Sequence, residues 1–586
     1  MDKYSDQLMI WLKEVGYTHC FYVAGGNVMH LLDSATNVFE CTPFVHEVGA
    51  GIAADYFNES ANPEKKAFVL VTAGPGLTNV VTAMVNAWTE SRELLVIGGQ
   101  AKSTELSRGQ YRQIGFQEFD GASLCKTFTK ASVRIEERIS KSEFLSLQAL
   151  SGQDRKGPVF LEICLDVTTM PPLGLSEDYR MIQSESKPFE KELSEVLKAF
   201  RVAKRPIILI GGGVSRSVDL SSLIQKSIPL ATTFNGADRV GSEYEFYCGR
   251  PNWYGSRWAN ILLQQSDCVL AIGTRLGIAQ VGYNWQEFVP NGKVFQVDID
   301  ANEFTKGFPE VDLSICADSD QFIAQFSARI DFDEELGKWR EFIKMVRADL
   351  SGPELVNTAS EGFIEAMDFV HRVSNLTEKA DVLIPCSSGS AGYEGAMRVL
   401  RNISGQKVVT SHGMASMGIG LSGAIGAALA NPSGRTITFE GDGGFAQNYQ
   451  ELGTAKANQL NLKIFLMDNG GYMSIKANQR SAFSGRYAGC DIGTGLVLPD
   501  WGKVGESYAI QVFEVTSATA FNSDFMRLFN SDLLVLFVVK VDPDQTYWPR
   551  LLSTIDSKGK MKSNPLHLMH PPLSDEQSLK YLPYLG

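Results

Sequence analysis

The sequence lacks the marks of several protein classes. Its nine cysteines are scattered and none forms a CxxC pair, which removes the common zinc and dithiol patterns. Several, including Cys20, Cys164 and Cys268, lie in apolar runs and read as reduced, buried side chains of a cytosolic protein. No apolar run reaches the roughly 20 residues that span a bilayer. The first residues, MDKYSDQLMIWLKEVGY, are amphipathic, without the apolar core and cleavage site of a secretion signal. Positive charge is also short, with 54 Lys and Arg against 67 Asp and Glu, a net −13; that argues against nucleic acid as the main partner. The expectation is a cytoplasmic protein with neither a membrane nor a nucleic-acid partner.

At 586 residues the chain exceeds one hydrophobic core and fits about three domains. Its 44% hydrophobic and 21% charged residues describe a globular protein. Over 1–175, apolar runs repeatedly enter glycine turns and helices: 19–23 into Ala24-Gly25-Gly26, 67–72 into Ala73-Gly74-Pro75-Gly76, 94–97 into Gly98-Gly99-Gln100, with 159–163 last. This order predicts an α/β domain with a mainly parallel sheet. A polar, proline-containing stretch at 171–188 reads as a linker. A second α/β block, 188–350, repeats the pattern at 206–210, 268–272 and 294–297. After a charged passage at 332–355, a third block, 358–545, has strand-like runs at 382–385, 407–411, 436–439, 464–467 and 533–541. Residues 546–586 form a proline-containing tail with little periodicity. The first and third blocks share element order and size, but no residue-level repeat.

One stretch gathers oxygen ligands. Residues 436–467 read as a single βαβ unit, with Asp442 after the first strand and Asp468-Asn469 after the second. In open parallel sheets, ligands collect at the carboxyl ends of strands. Gly441 and Gly443 let backbone approach a ligand closely, which suits a diphosphate held through octahedral magnesium. Gly-Asp-Gly also occurs by chance at strand–turn–helix junctions; the Asp-Asn pair beyond the next predicted strand makes the combination a candidate metal site.

GDG, a helix, and a strand ending in Asn resemble the signature of thiamine-diphosphate-dependent enzymes, whose second part is usually Asn-Asn. The resemblance implies that Asp442, Asn469 and the Gly471 carbonyl bind magnesium, with Asp468 replacing the first Asn. VHEVGAGIAADYFNES resembles the family's HExxAxxxAxGYAR segment, so Glu47 would contact the aminopyrimidine ring. Hydrogen bonding there favours the imino form, whose nitrogen can remove the thiazolium C2 proton, and a low-dielectric cleft strengthens the interaction. Taken alone, Glu47 is a carboxylate complementing a helix dipole.

The acetohydroxyacid (acetolactate) synthases are resembled further in VLVTAGPGLTNVVTAMVNAW, GGQ at 98–100 and GFQEFD at 115–120. Gln117 would be their active-site glutamine, with Phe116 lining the same pocket. SHGMASMGIGLSGAIGAAL resembles GLGTMGxGLPAAIGA and places Met417 where a bulky side chain bends the cofactor; otherwise such a Met is ordinary packing. Further implied cofactor contacts are Gly26, Pro75 and Asn79 in the first block. In the third they are Gly389, Ser390, Gly441, Gly443, Gly444 and Tyr472. Ser387-Ser388-Gly389-Ser390 supplies diphosphate hydrogen bonds or is a simple loop turn.

The resemblance implies pyrimidine- and diphosphate-binding domains around a Rossmann-like middle domain, in a homodimer or homotetramer. Each site would pair one subunit's first domain with its partner's third. The implied reaction decarboxylates pyruvate or a related 2-oxo acid and ligates the acyl unit to a carbonyl acceptor. Departures leave alternatives. The first domain has no adjacent His-His pair, against the simple pyruvate decarboxylases. The synthases' Trp beyond the metal strand is not evident in YMSIKANQRSAF, and Leu165 replaces their IPKDV lysine. GYMSIKANQ and SNPLHLMHP resemble surface-sugar carboligases, which makes acetyl transfer to a nucleotide-linked ketosugar one alternative. A non-ligating decarboxylase or lyase is another, and a non-catalytic nucleotide-binding regulatory subunit a third. In the middle block Gly212, Gly213, Gly273, Arg275 and Asp298 resemble FAD-binding positions and equally fit tight strand–helix turns, while Tyr254-Gly255-Ser256-Arg257 departs from the family's GMHG.

Overall fold

The computed structural model describes residues 2–174, 188–332, 336–555, 557, 559 and 561–585. Most of the expected linker at 171–188, and 333–335 of the second boundary, therefore lie outside the described residues. The strands used below are β1 (Tyr17–Tyr22), β2 (Glu40–Pro43), β3 (Lys66–Val71), β4 (Leu94–Gln100), β5 (Ala131–Ile135) and β6 (Pro158–Cys164). Next come β7 (Pro206–Ile210), β8 (Leu230–Thr232), β9 (Cys268–Ile272), β10 (Lys293–Asp298) and β11 (Leu313–Cys316). Last are β12 (Val382–Pro385), β13 (Thr436–Gly441), β14 (Leu462–Asp468), β15 (Gln511–Val515) and β16 (Val535–Lys540). Helices with a functional bearing are α1 (Glu47–Ser60), α2 (Pro75–Glu90), α3 (Ile419–Ala430), α4 (Asp442–Phe445) and α5 (Leu452–Ala457).

These elements divide into two compact units. The first holds the chain up to 174 together with Val382–Gly389 and Ser411–Val539; the second runs from 188 to Asp381 and adds Ser390–Thr410 and the chain from Lys540 onward. In the first unit one sheet has the order β2-β1-β3-β4-β6-β5, with parallel pairing. Strands β4 and β6 are buried along their whole length, as a parallel sheet covered by helices on both faces requires. The order β12-β13-β14-β16-β15 of the other sheet repeats that of β1-β3-β4-β6-β5. The duplication suggested by element order is thus present in the topology.

Helix α3, IGLSGAIGAALA, brings the two sheets' layers together. A Cβ at Gly426 would stand 2.0 Å from the Ala53 carbonyl, and one at Gly423 would stand 2.7 Å from the Tyr56 ring. Only glycine lets α3 approach α1 this closely. Behind it, Phe439, Phe465 and Phe537 stack with centroids 5.4 and 4.8 Å apart.

The second unit is built on a parallel sheet of order β11-β10-β9-β7-β8. Segments 390–410 and 540–545 are grouped with this unit. Buried Arg250 explains part of this, donating to the Met397 and Leu400 carbonyls at 3.1 and 2.8 Å and to Asn402 Oδ1 at 2.8 Å. The tail is more ordered than its pattern suggests: Leu566 and Tyr581 are buried in the core of this unit, and Asp575–Tyr581 is helical. Among the described residues, no helix is long and apolar enough to cross a membrane.

Candidate cofactor and metal site

At the end of β13 the chain turns directly into α4, with Asp442 as its first residue. Pairing of Gly441 with Met467 sets the turn after β14 beside it. Asp442 is buried, at 1% exposure. Its Oδ2 accepts the N–H groups of Asn469, Gly470 and Gly471 at 3.2, 2.7 and 3.0 Å, while Oδ1 accepts that of Gly443 at 2.7 Å. Burial, reinforced by the Asp468 charge, raises this carboxyl to about 7, against the backbone hydrogen bonds that lower it.

One terminal atom of the Asn469 amide lies 3.2 Å from Asp442 Oδ1 and 3.1 Å from Gly471 O. With nitrogen inward the amide donates to both oxygens. With oxygen inward it stands from each at close to the ~3.0 Å that separates cis ligands of an octahedral ion with ~2.1 Å bonds. The three ligands named from sequence are therefore brought together, and their donor set fits magnesium. Among the described residues there is no cluster of three or more His, Cys, Asp and Glu that could hold a metal.

Glycines open the surroundings. A Cβ on Gly389 (φ 94°), Gly441 or Gly470 (φ 83°) would meet nothing within 4 Å, so backbone there is free to approach a diphosphate. At Gly443 the Tyr472 ring would lie 2.3 Å from a Cβ, so glycine there also admits that ring. Gly444 is less confined, its nearest atom being Glu440 Oε1 at 3.4 Å.

In the first sheet's layer Glu47 is the first residue of α1 and 8% exposed. Its Oε2 accepts Asn79 Nδ2–H at 2.9 Å, so Asn79, expected against the cofactor, is placed on the carboxylate. Pro75 opens α2, the helix that carries Asn79. The Gln117 loop folds against this turn: a Cβ at Gly74 would stand 2.7 Å from the Gln117 carbonyl, and both residues have positive φ. Asn27 Nδ2, next to open Gly26, donates to the Phe116 carbonyl at 3.4 Å. Met417, 39% exposed, lies two residues before α3.

Three carboxylates that sequence reading missed hold these parts. Glu440, pushed up to about 7 by burial, accepts the Gly420 and Leu421 N–H groups at 3.2 and 2.9 Å, at the start of α3. Glu90 accepts from Ser411 Oγ at 3.0 Å, from His412 N–H at 2.7 Å and from Gly413 N–H, fixing the approach to Met417. Glu451 accepts the N–H groups of Val45 and His46 at 3.3 and 3.0 Å, just before Glu47.

Ser390 belongs to the second unit, where its hydroxyl accepts from Arg550 at 3.1 Å. The middle-domain glycines pack on one another there. A Cβ at Gly211 would lie 2.1 Å from the Gly273 carbonyl, and one at Gly213 would lie 3.0 Å from Gly273 Cα. Arg239 donates to the carbonyls of Gly212 and Val214 at 3.2 and 2.6 Å. Arg275 is exposed, and Asp298 accepts the Asp300 N–H at 2.9 Å.

Comparison with known proteins agrees with this arrangement. Residues 2–124 match the N-terminal TPP binding domain of thiamine pyrophosphate enzymes, 193–326 the central domain and 390–539 the C-terminal TPP binding domain. The chain belongs to the thiamine pyrophosphate enzyme family. This enzyme is 26% identical to the acetolactate synthase large subunit of Lactococcus lactis subsp. lactis (strain IL1403), over 94% of this chain and 95% of that protein. It is 26% identical to that of Haemophilus influenzae (strain ATCC 51907 / DSM 11121 / KW20 / Rd), over 92% and 94%. With the acetolactate synthase isozyme 1 large subunit of Escherichia coli (strain K12) it shares 24%, over 93% and 95%. The expected three-domain thiamine-diphosphate fold and cofactor class are thus shown.

Proposed function

We propose that this thiamine-diphosphate enzyme decarboxylates pyruvate and ligates the acyl unit to a carbonyl acceptor, an acetolactate synthase-like reaction. End-to-end similarity to acetolactate synthase large subunits carries the reading. Bound thiamine diphosphate supplies an electron sink that the side chains cannot provide. Asp442, Asn469 and the Gly471 carbonyl would hold the magnesium ion on its diphosphate. Glu47, fixed by Asn79, holds a proton at the aminopyrimidine ring and so promotes deprotonation at C2. Met417 shapes the bound cofactor, and Gln117 meets the substrate beside it.

The working assembly is a cytoplasmic homodimer or a homotetramer built from it. Its support is the Gln117 loop, where Tyr111, Ile114 and Phe116 are 64, 54 and 82% exposed; apolar surface of this kind marks a covered interface. For the middle domain, mutual packing of Gly211, Gly213 and Gly273 serves tight strand–helix turns and leaves an FAD site at Gly212, Arg275 and Asp298 open. A yellow purified protein is the result that assigns the flavin, and a colourless one the result that removes it.

Mass spectrometry of products from pyruvate, alone and with 2-oxobutyrate, an aldehyde or a nucleotide-linked ketosugar, tests the reaction. Ligated products with loss of carbon dioxide are expected from the small acceptors. Free acetaldehyde under every condition would reject ligation in favour of a simple decarboxylase. Ligation confined to the ketosugar would move the enzyme to branched-sugar synthesis. Magnesium-dependent cofactor binding without turnover would indicate a regulatory subunit.

A further inference from the structure

We propose that Glu451 is a positioning residue for Glu47, acting from the third sheet's layer on the backbone that enters α1. This rests on the reading of Glu47 as the group that activates the cofactor. Glu451 has no exposed surface. Its two oxygens accept the N–H groups of Val45 and His46 across more than 400 residues of sequence, and Oε2 also accepts the Thr454 hydroxyl at 2.7 Å.

Two independent features of α1 show that this contact is built in. Helices of this length ordinarily begin with a side-chain acceptor, yet His46, at the N-cap position, supplies none to the backbone. Gly49, one turn into the helix, leaves the space in which Glu451 sits: a Cβ there would stand 2.8 Å from Glu451 Oε1. Glu440 and Gly420 repeat the device at α3, where that Cβ would lie 2.6 Å from Glu440 Oε2. The carboxylate also meets the positive end of the α1 dipole.

The consequence concerns orientation. Asn79 holds the tip of the Glu47 side chain, and Glu451 holds the backbone immediately before it. A side chain fixed at both ends spends its time in the geometry that proton sharing requires, whereas a displacement near 1 Å can lower a rate about a hundredfold. Binding of the diphosphate, which depends on Asp442 and its turn, does not use this contact.

The test compares Glu451→Ala, Glu451→Gln and Gly49→Ala with the full-length wild type, using Glu47→Gln as control. In cofactor-free protein, amide hydrogen exchange is read on the peptide spanning 44–49; with cofactor bound, C2 proton exchange, kcat and KM for pyruvate are measured. Glu451→Ala is expected to lose about tenfold in protection at 45–46, the scale of one lost hydrogen bond. It should lose about 10- to 100-fold in C2 exchange and kcat, with KM and cofactor affinity held within about twofold. Glu451→Gln should recover part of both losses, because its oxygen still accepts one N–H group. Should Glu451→Ala not fold, Glu451→Gln and Gly49→Ala carry the same comparison. Unchanged protection at 45–46, or kcat falling only in step with cofactor affinity, would overturn the proposal. If Glu47→Gln stops C2 exchange while the Glu451 variants do not alter it, this inference alone fails. Undiminished exchange in Glu47→Gln would remove both.

Discussion

Glu47→Gln is expected to bind thiamine diphosphate and magnesium nearly as the wild type does, and to lose C2 proton exchange and turnover by about 10²- to 10⁴-fold. That range is typical for removing a positioned acid or base. The size of the effect follows from the site. Glutamine keeps the volume, and its oxygen can still accept from Asn79, whose Nδ2 lies 2.9 Å from Glu47 Oε2. What it cannot do is share a proton with a ring nitrogen. At 8% exposure, water has little access to take over that role. Cofactor affinity separates this cause from damage to the fold, because the proposed metal ligands Asp442, Asn469 and Gly471 lie at a different sheet. Loss of binding parallel to loss of exchange would mean that Glu47 supports the cleft and does not activate its ligand.

Features encoded over short spans were legible in the sequence, and those encoded by distant pairs were not. The βαβ unit at 436–467 could be read because two buried strands flank it and its ligands directly follow their ends. Strands β5 and β15 escaped because they lie at sheet edges, where Ala131–Ile135 is half-buried and Gln511–Val515 part-exposed. An edge strand needs only one neighbour and shows a weak apolar signal. Glu451 and Glu90 escaped for another reason: their partners are 405 and 322 residues away, and an acidic residue on a helix has no local pattern announcing a backbone partner. Gly49 was the available clue to Glu451, and Gly420 to Glu440, each a glycine within the first turns of a helix where alanine would favour helix formation. Gly443 has a further reason that no local pattern shows, since a Cβ there would meet the Tyr472 ring.

Asp442→Ala is expected to weaken magnesium-dependent thiamine diphosphate binding by at least about 100-fold, and to be the most destabilising change in the site. Two roles end together. Oδ1 is the oxygen that the Asn469 amide approaches to 3.2 Å, so a metal ligand is lost. Oδ2 gathers the N–H groups of Asn469, Gly470 and Gly471, so the turn bearing the other two ligands loses its organiser. Unsatisfied buried donors cost about 1–3 kcal/mol each. Asp468→Asn, which restores the pair usual in the family, removes a nearby charge that raises the Asp442 carboxyl; a fewfold change in magnesium affinity is expected, as for one unit charge several ångströms away in a partly screened site. Calorimetric titration with thiamine diphosphate at saturating magnesium, alongside thermal unfolding, distinguishes the variants. Near-normal magnesium-dependent affinity in folded Asp442→Ala would remove the ligand assignment, whereas equal losses in both variants would mean that local charge, and not the Oδ1 ligand, holds the ion.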